Sequence, residues 1–204
     1  MCDREIFLED LILRNRRWSN RRTEADPGFF RRLEDQQSPR YFWIGCSDSR
    51  VPATEIVDLD PGEMFVHRNV ANIVATGDLC FEAALAFAVE RLSVSHIIVV
   101  GHYGCGGIRA AIRGEAGEIG TWLQTPRKLY HRYRSDLDRL AERERENCLC
   151  KLNVLDQVAQ LASHPRILSA WRGGRSIHLH AWIYSLADGL ISRLQDPVGH
   201  EARQ

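Results

Sequence analysis

Short apolar runs alternate with longer amphipathic ones along most of the chain. Residues 40–46 (RYFWIGC), 63–67 (EMFVH) and 96–101 (HIIVVG) are brief, rich in aromatic and β-branched side chains, and bounded by Gly, Pro or polar residues. This pattern predicts buried strands. Residues 78–92 (DLCFEAALAFAVERL) predict a helix with Asp78 as its N-cap. Further helices are predicted at 108–112, 126–145 and 146–162, the last with Leu149, Leu152, Leu155, Val158 and Leu161 spaced by three along one buried face. Residues 176–184 (SIHLHAWIY) return to a strand pattern, and Asp188-Gly189 ahead of 190–194 predicts a turn into a last edge strand. Strands alternating with helices mark an α/β fold in which a parallel sheet is covered by helices on both faces.

With 204 residues, 44% hydrophobic and 26% charged, the chain reads as a globular protein with no repeat or linker dividing it. Lys+Arg 27 balance Asp+Glu 27, which argues against bulk electrostatic binding to nucleic acid or to an anionic membrane. The one basic segment holds Arg14, Arg16, Arg17, Arg21 and Arg22. It reads as a solvated or partner-facing helix, flanked as it is by Glu9, Asp10 and Glu24. The first residues are charged, no apolar run is long enough to span a bilayer, and a cytoplasmic protein is expected. Six cysteines are too few and too irregularly spaced for a disulfide scaffold.

Two segments carry chemistry: GCSDSR at 45–50 and GHYGCGG at 101–107, each at the end of a predicted strand. In open α/β sheets ligands gather outside the carboxyl ends of parallel strands, so Cys46 and His102 can meet although far apart in sequence. His102 and Cys105 on a Gly-containing turn, with Cys46, give two thiolates and an imidazole, a donor set that selects zinc. Backbone N–H groups at the helix start after Gly104 favour a Cys105 thiolate. The fourth position falls either to the Asp48 carboxylate or, if Arg50 holds Asp48, to a water. Such a water turns to hydroxide near neutral pH, and two thiolates raise its pKa above that of a three-His site, so activity rises on the alkaline side. A bidentate Asp48–Arg50 pair then orients the nucleophile.

These residues resemble the β-class carbonic anhydrases. CSDSR at 46–50, PGEMFVHRNVAN at 61–72 and GHYGCGG at 101–107 follow that family's order and approximate spacing, over about residues 38–194. The resemblance implies one Zn2+ per subunit on Cys46, His102 and Cys105, an Asp48–Arg50 dyad that opens or closes the fourth site with Asp48 as the closing ligand, and reversible hydration of carbon dioxide to bicarbonate and a proton. It implies a mainly parallel sheet with an antiparallel edge strand, an N-terminal helical arm over 1–37 and a catalytic domain over 38–204. It also implies a homodimer or tetramer in which the arms embrace the neighbour; the charge balance and the short apolar runs argue against nucleic-acid and membrane partners. A bacterial subgroup binds bicarbonate at a non-catalytic pocket through a Trp, an Arg and a Tyr, for which Trp43, Arg68 and Tyr184 stand here. Arg68 supplies a charged fork, and the indole N–H and phenol O–H add donors.

Phe65 and Tyr103 are expected to line a narrow substrate cleft. Cys148 and Cys150, two apart on a helix, point to different sides and make no second zinc site; Cys2 and Cys80 carry no assigned role. His178 and His180 share a strand face and read as structural, and His67 is unassigned. Competing readings are a zinc hydrolase acting on carbon disulfide or carbonyl sulfide, a non-catalytic zinc module, and a thiol redox protein, the last disfavoured by the lack of any Cys-x-x-Cys pair.

Overall fold

The computed structural model describes residues 8–35 and 37–199, so Cys2 and the residues from 200 onward lie outside the described region. Contacts divide the chain into two units after Gln37. The first holds α1 (Leu8–Ala25) and α2 (Phe29–Asp35). Glu9 and Asp10 in the first turn of α1 and Arg22 in its last complement the helix dipole. No residue of α1 is buried, and Leu8, Leu11, Ile12 and Leu13 stand exposed. Its end is tied by Asp26, which accepts from Gly28 N at 3.0 Å and pairs with Arg32, and by Trp18 meeting Phe30 edge-on at 5.6 Å.

The second unit is built on a five-stranded sheet: β1 (Tyr41–Cys46), β2 (Met64–Asn69), β3 (His96–His102), β4 (His178–Tyr184) and β5 (Ile191–Arg193). The spatial order is β2-β1-β3-β4-β5, with the first four strands parallel and β5 antiparallel at the edge. All five strands fall where the alternation predicts them. β2 runs two residues past its predicted end, because Arg68 and Asn69 continue the ladder opposite Gly45 and Cys46. Pairing to a neighbour, invisible in local hydropathy, extends it.

The helices are α3 (Leu79–Ala86), continued by a π turn over Phe87–Arg91, then α4 (Gly106–Arg113), α5 (Gly117–Trp122), α6 (Gln124–Arg132), α7 (Arg134–Leu137), α8 (Glu142–Ser163) and α9 (Pro165–Arg172). Asp78 caps α3, its side chain accepting from Phe81 N at 2.9 Å. The single helix expected over 126–145 is instead broken at Tyr133 and again over 138–141, and α8 starts before the expected boundary. Side chains make the break affordable: Arg145 donates to the carbonyls of Leu137 (3.1 Å) and Leu140 (3.3 Å), and Asp138 accepts from Tyr130 (2.6 Å) and Arg134 (3.1 Å). Carbonyls that a helix would have used thus find partners elsewhere. Among the described residues no helix is long and apolar enough to cross a membrane.

One sheet face, with Phe42, Ile44, Ile97, Val99, Leu179 and Ile183, packs against Phe81, Ile108, Leu149, Val154 and Ile167 of the helices as the main core. The other face carries Trp43, Ile98, Val100 and Tyr184 in a smaller cluster covered by Val51, Ala53 and the 3-10 turn Glu55–Val57. On α8 the expected face is corrected. Leu152 and Leu155 are only half-buried, while Leu149, Cys150, Asn153, Val154, Gln157, Val158 and Leu161 are buried. Each three-residue step drifts by about 60° around a helix of 3.6 residues per turn, so a run of such steps cannot keep one face.

At the amino-terminal end of the strands the register gathers His96, His178 and His180. His96 Nδ1 lies 3.1 Å from His180 Nε2, and His96 stacks on His178 with centroids 5.5 Å apart. Burial, then the charges of His96, His178 and Arg193, lower His180 to about 4. The folded chain therefore resists a proton that the unfolded chain takes up at about 6.5. Stability is expected to be undiminished by this group above that pH and to fall as pH drops from about 6.5 toward about 4. Melting temperatures across this range should show the decline, and His180→Gln should flatten part of it; an unchanged slope would remove the assignment.

Candidate metal centre

The carboxyl ends of β1 and β3 lie side by side in the sheet, which places their terminal residues, Cys46 and His102, together. Past His102 the chain reverses through Gly104, whose φ of 67° is left-handed and suits glycine, and delivers Cys105 as the residue before α4. Cys46, His102 and Cys105 are all buried, and their ligand atoms lie within 4.8 Å of one another, the one such cluster of three metal-ligating side chains found among the described residues. The two sulfurs are 3.8 Å apart. Two sulfurs each about 2.3 Å from one tetrahedral ion stand about 3.8 Å apart, so the pair is spaced for zinc.

His102 Nδ1 donates to the Tyr103 carbonyl at 3.1 Å, which leaves the Nε2 lone pair facing the sulfurs. That Nε2 is fully buried and has no hydrogen-bond partner. A buried polar nitrogen without a partner is costly, and here it completes a set of soft donors; the residues fit zinc. The Cys105 thiol, then the N–H groups of Asp48 and Ala71, stabilise a Cys46 thiolate and hold its pKa well below the usual thiol range against the cost of burial. Sharing that proton and being buried push Cys105 up.

Asp48 sits beside this trio. Arg50 grips it with both arms of its fork, Nε to Oδ1 at 2.9 Å and Nη2 to Oδ2 at 2.8 Å, and the Arg50 amide adds a third bond at 3.0 Å. Arg50 holds the carboxyl well below the usual carboxylate range. Asp48 Oδ2 lies 3.8 Å from His102 Nε2. Of the two arrangements the sequence allows, this is the one with Asp48 held by Arg50. Outside the dyad a cleft of about 740 Å³ opens, bordered by Arg50, Tyr103, Gly104, Arg109 and Glu146. Phe65 is not at this cleft: it packs between Phe42 (5.5 Å) and Phe87 (5.7 Å).

Trp43, Arg68 and Tyr184 occupy one face of the sheet. Trp43 is fully buried with its indole N–H unpartnered, lying so close over Gly45 that a Cβ there would clash with Nε1. Arg68 is not a free fork, since it donates from Nε to the Cys46 carbonyl at 2.9 Å and from Nη2 to the Asp48 carbonyl at 2.6 Å. His67 Nε2 accepts from Asn69 Nδ2 at 3.2 Å and its ring meets Phe81 edge-on. Cys148 is half-buried and Cys150 buried, and neither joins a second cluster among the described residues. The sequence reading missed Asn153 and Gln157, which reach from α8 to the loop beside Cys46; their only signal was a pair of amides four apart inside an apolar stripe.

The carbonic anhydrase family profile matches residues 41–191. A carbonic anhydrase of Emericella nidulans is 42% identical over 182 residues, covering 88% of this chain and 80% of the relative. The Coccomyxa β-carbonic anhydrase solved with acetazolamide superposes with a TM-score of 0.91 at 32% identity, covering 94% of this chain and 88% of that one. A tetrameric β-carbonic anhydrase of Sordaria macrospora gives 0.89 at 34% identity, covering 92% and 96%. Profile, relatives and superposed folds agree with what the sulfur pair and the unpartnered lone pair of His102 require, and the chain belongs to the β-class carbonic anhydrases.

Proposed function

We propose that the chain hydrates carbon dioxide reversibly to bicarbonate and a proton, with one zinc ion per subunit held by Cys46, His102 and Cys105. The observation that carries this is the 3.8 Å sulfur pair facing the unpartnered His102 Nε2, with the Arg50-held Asp48 at the open side. Held there, zinc would supply a Lewis acid able to make a water acidic near neutral pH. The protein does the rest. The Tyr103 carbonyl fixes the His102 tautomer. Arg50 keeps Asp48 ionised, so that its carboxylate accepts a hydrogen bond from the attacking water and aims the oxygen lone pair at carbon dioxide. The cleft beside Arg50 and Tyr103 leads the released proton to solvent buffer. In a closed state Asp48, released from the Arg50 fork, would be the residue to join Cys46, His102 and Cys105 in holding the ion.

The bicarbonate pocket of Trp43, Arg68 and Tyr184 belongs to the same reading, supported by the unpartnered indole N–H. An anion engaging Arg68 competes with the Asp48 carbonyl for its guanidinium, which links the pocket to the loop bearing the dyad. Homo-oligomerisation is supported by the exposed Leu8, Leu11, Ile12 and Leu13 of α1. A cytosolic location suits the five free thiols found among the described residues.

Stopped-flow hydration on zinc-loaded protein tests the reaction and the bicarbonate pocket. Activity should vanish on chelation, return with zinc, and show bicarbonate inhibition beyond product competition. A zinc-replete protein without turnover would refute the enzymatic reading, and inhibition unchanged by Arg68→Ala would remove the pocket.

A further inference from the structure

The segment that follows β2, beside the metal centre, is a turn of unusual backbone. Ala71 (φ 66°) and Asn72 (φ 49°) are consecutive left-handed residues, neither of them glycine. Such conformations persist only where the surroundings over-determine them. Here the surroundings are specific. Asn153 Nδ2 donates to the Ala71 carbonyl at 2.9 Å, Gln157 Nε2 donates to Asn153 Oδ1 at 3.1 Å, and Gln157 Oε1 accepts from Val74 N at 2.7 Å. Trp122 Nε1 donates to the Val70 carbonyl at 2.8 Å. Asn153 and Gln157 are 1% and 0% exposed, two amides buried in the apolar face of α8 with their hydrogen bonds satisfied.

The turn they hold touches every segment that carries a ligand. A Cβ at Gly107, two residues past Cys105, would meet Val70 Cγ1 at 2.9 Å and Ala71 Cβ at 3.0 Å. A Cβ at Gly101, the residue before His102, would lie 3.5 Å from Asn72 Oδ1. On the third side Ser47 N, next to Cys46, donates to the Asn69 carbonyl at 2.9 Å, and the Ala71 amide faces the Cys46 sulfur. The turn is a wedge between the end of β1 and the β3–α4 connection.

We propose that Asn153, backed by Gln157, is a positioning residue for the metal centre: it locks the left-handed Ala71–Asn72 turn and thereby sets Cys46 against His102 and Cys105. This rests on the zinc reading above and adds to it where the ligand spacing comes from. A merely structural role for the two amides would lower stability without altering the centre.

The test uses cobalt(II)-reconstituted full-length protein and reads the ligand-field and thiolate charge-transfer bands together with the rate of metal release to a chelator. Asn153→Leu is expected to bind cobalt stoichiometrically, with shifted bands and release faster by about 10- to 100-fold, the range typical of lost outer-shell support. Leu161→Val, a core change two helical turns from Asn153 that removes no hydrogen bond to the turn, should lower the melting temperature and leave both readouts at wild-type values. Gln157→Met should give a smaller change of the same sign; if Asn153→Leu does not fold, Gln157→Met decides. Wild-type bands and release rate in the folded variant would overturn the proposal. A wild-type protein lacking any thiolate–cobalt band would instead refute the zinc reading.

Discussion

His102→Ala is expected to purify as folded protein with no more than trace zinc and with carbon dioxide hydration at the buffer rate. The ring is fully buried, its Nδ1 is committed to Tyr103, and its Nε2 has no other partner, so nothing nearby can replace the nitrogen. Structural zinc sites bind with about 10–16 kcal/mol shared among four ligands, so one ligand accounts for roughly 3 kcal/mol. That corresponds to on the order of 100-fold weaker binding, enough to strip the ion in the presence of a mild chelator. Elemental analysis and stopped-flow assays on the same sample decide it. Full zinc content with full turnover would show that the imidazole is a core side chain and that the ion, if any, sits elsewhere.

Asp48→Asn should behave in the opposite way, keeping its zinc and losing its rate. The carboxylate is not among the three clustered ligands, and its partner Arg50 has a side chain 58% exposed, so solvent screens the fork and its loss should cost the fold little. Melting temperature and metal content should therefore stay near wild type. Turnover should fall by about 10²- to 10⁴-fold, the usual range for losing a positioned acceptor in the transition state. In a closed, non-catalytic zinc module the same change would instead weaken metal binding and find no rate to lose. Measured side by side, zinc stoichiometry and hydration rate separate the two cases.

Much of this architecture is written locally. Period-two and short apolar runs mark β1, β3 and β4, and Asp78 announces the start of α3. Two sulfurs and an imidazole beside strand ends name the metal before any coordinates exist, because ligand chemistry is a property of residue type. The exact extent of β2 and the breaks between α6 and α8 were not legible, because they are settled by ladder pairing, by Arg145 donating to the Leu137 and Leu140 carbonyls, and by Asp138 accepting from Tyr130 and Arg134. Arg68 shows the same limit. Its charge suggests an anion ligand, yet its partners, two backbone carbonyls, lie 20 and 22 residues away in sequence.

What the sequence determined by itself, then, is the alternation that makes a parallel sheet and the donor types at its carboxyl edge, since both depend on residues acting within a few positions of one another. Only the tertiary structure decided that Asp48 rests on Arg50, that Phe65 belongs to the core, that His96 joins His178 and His180, and that Asn153 and Gln157 brace a strained turn beside Cys46. Each of these is a contact closed between distant segments, and its geometry follows from strand register and helix packing that no local pattern encodes.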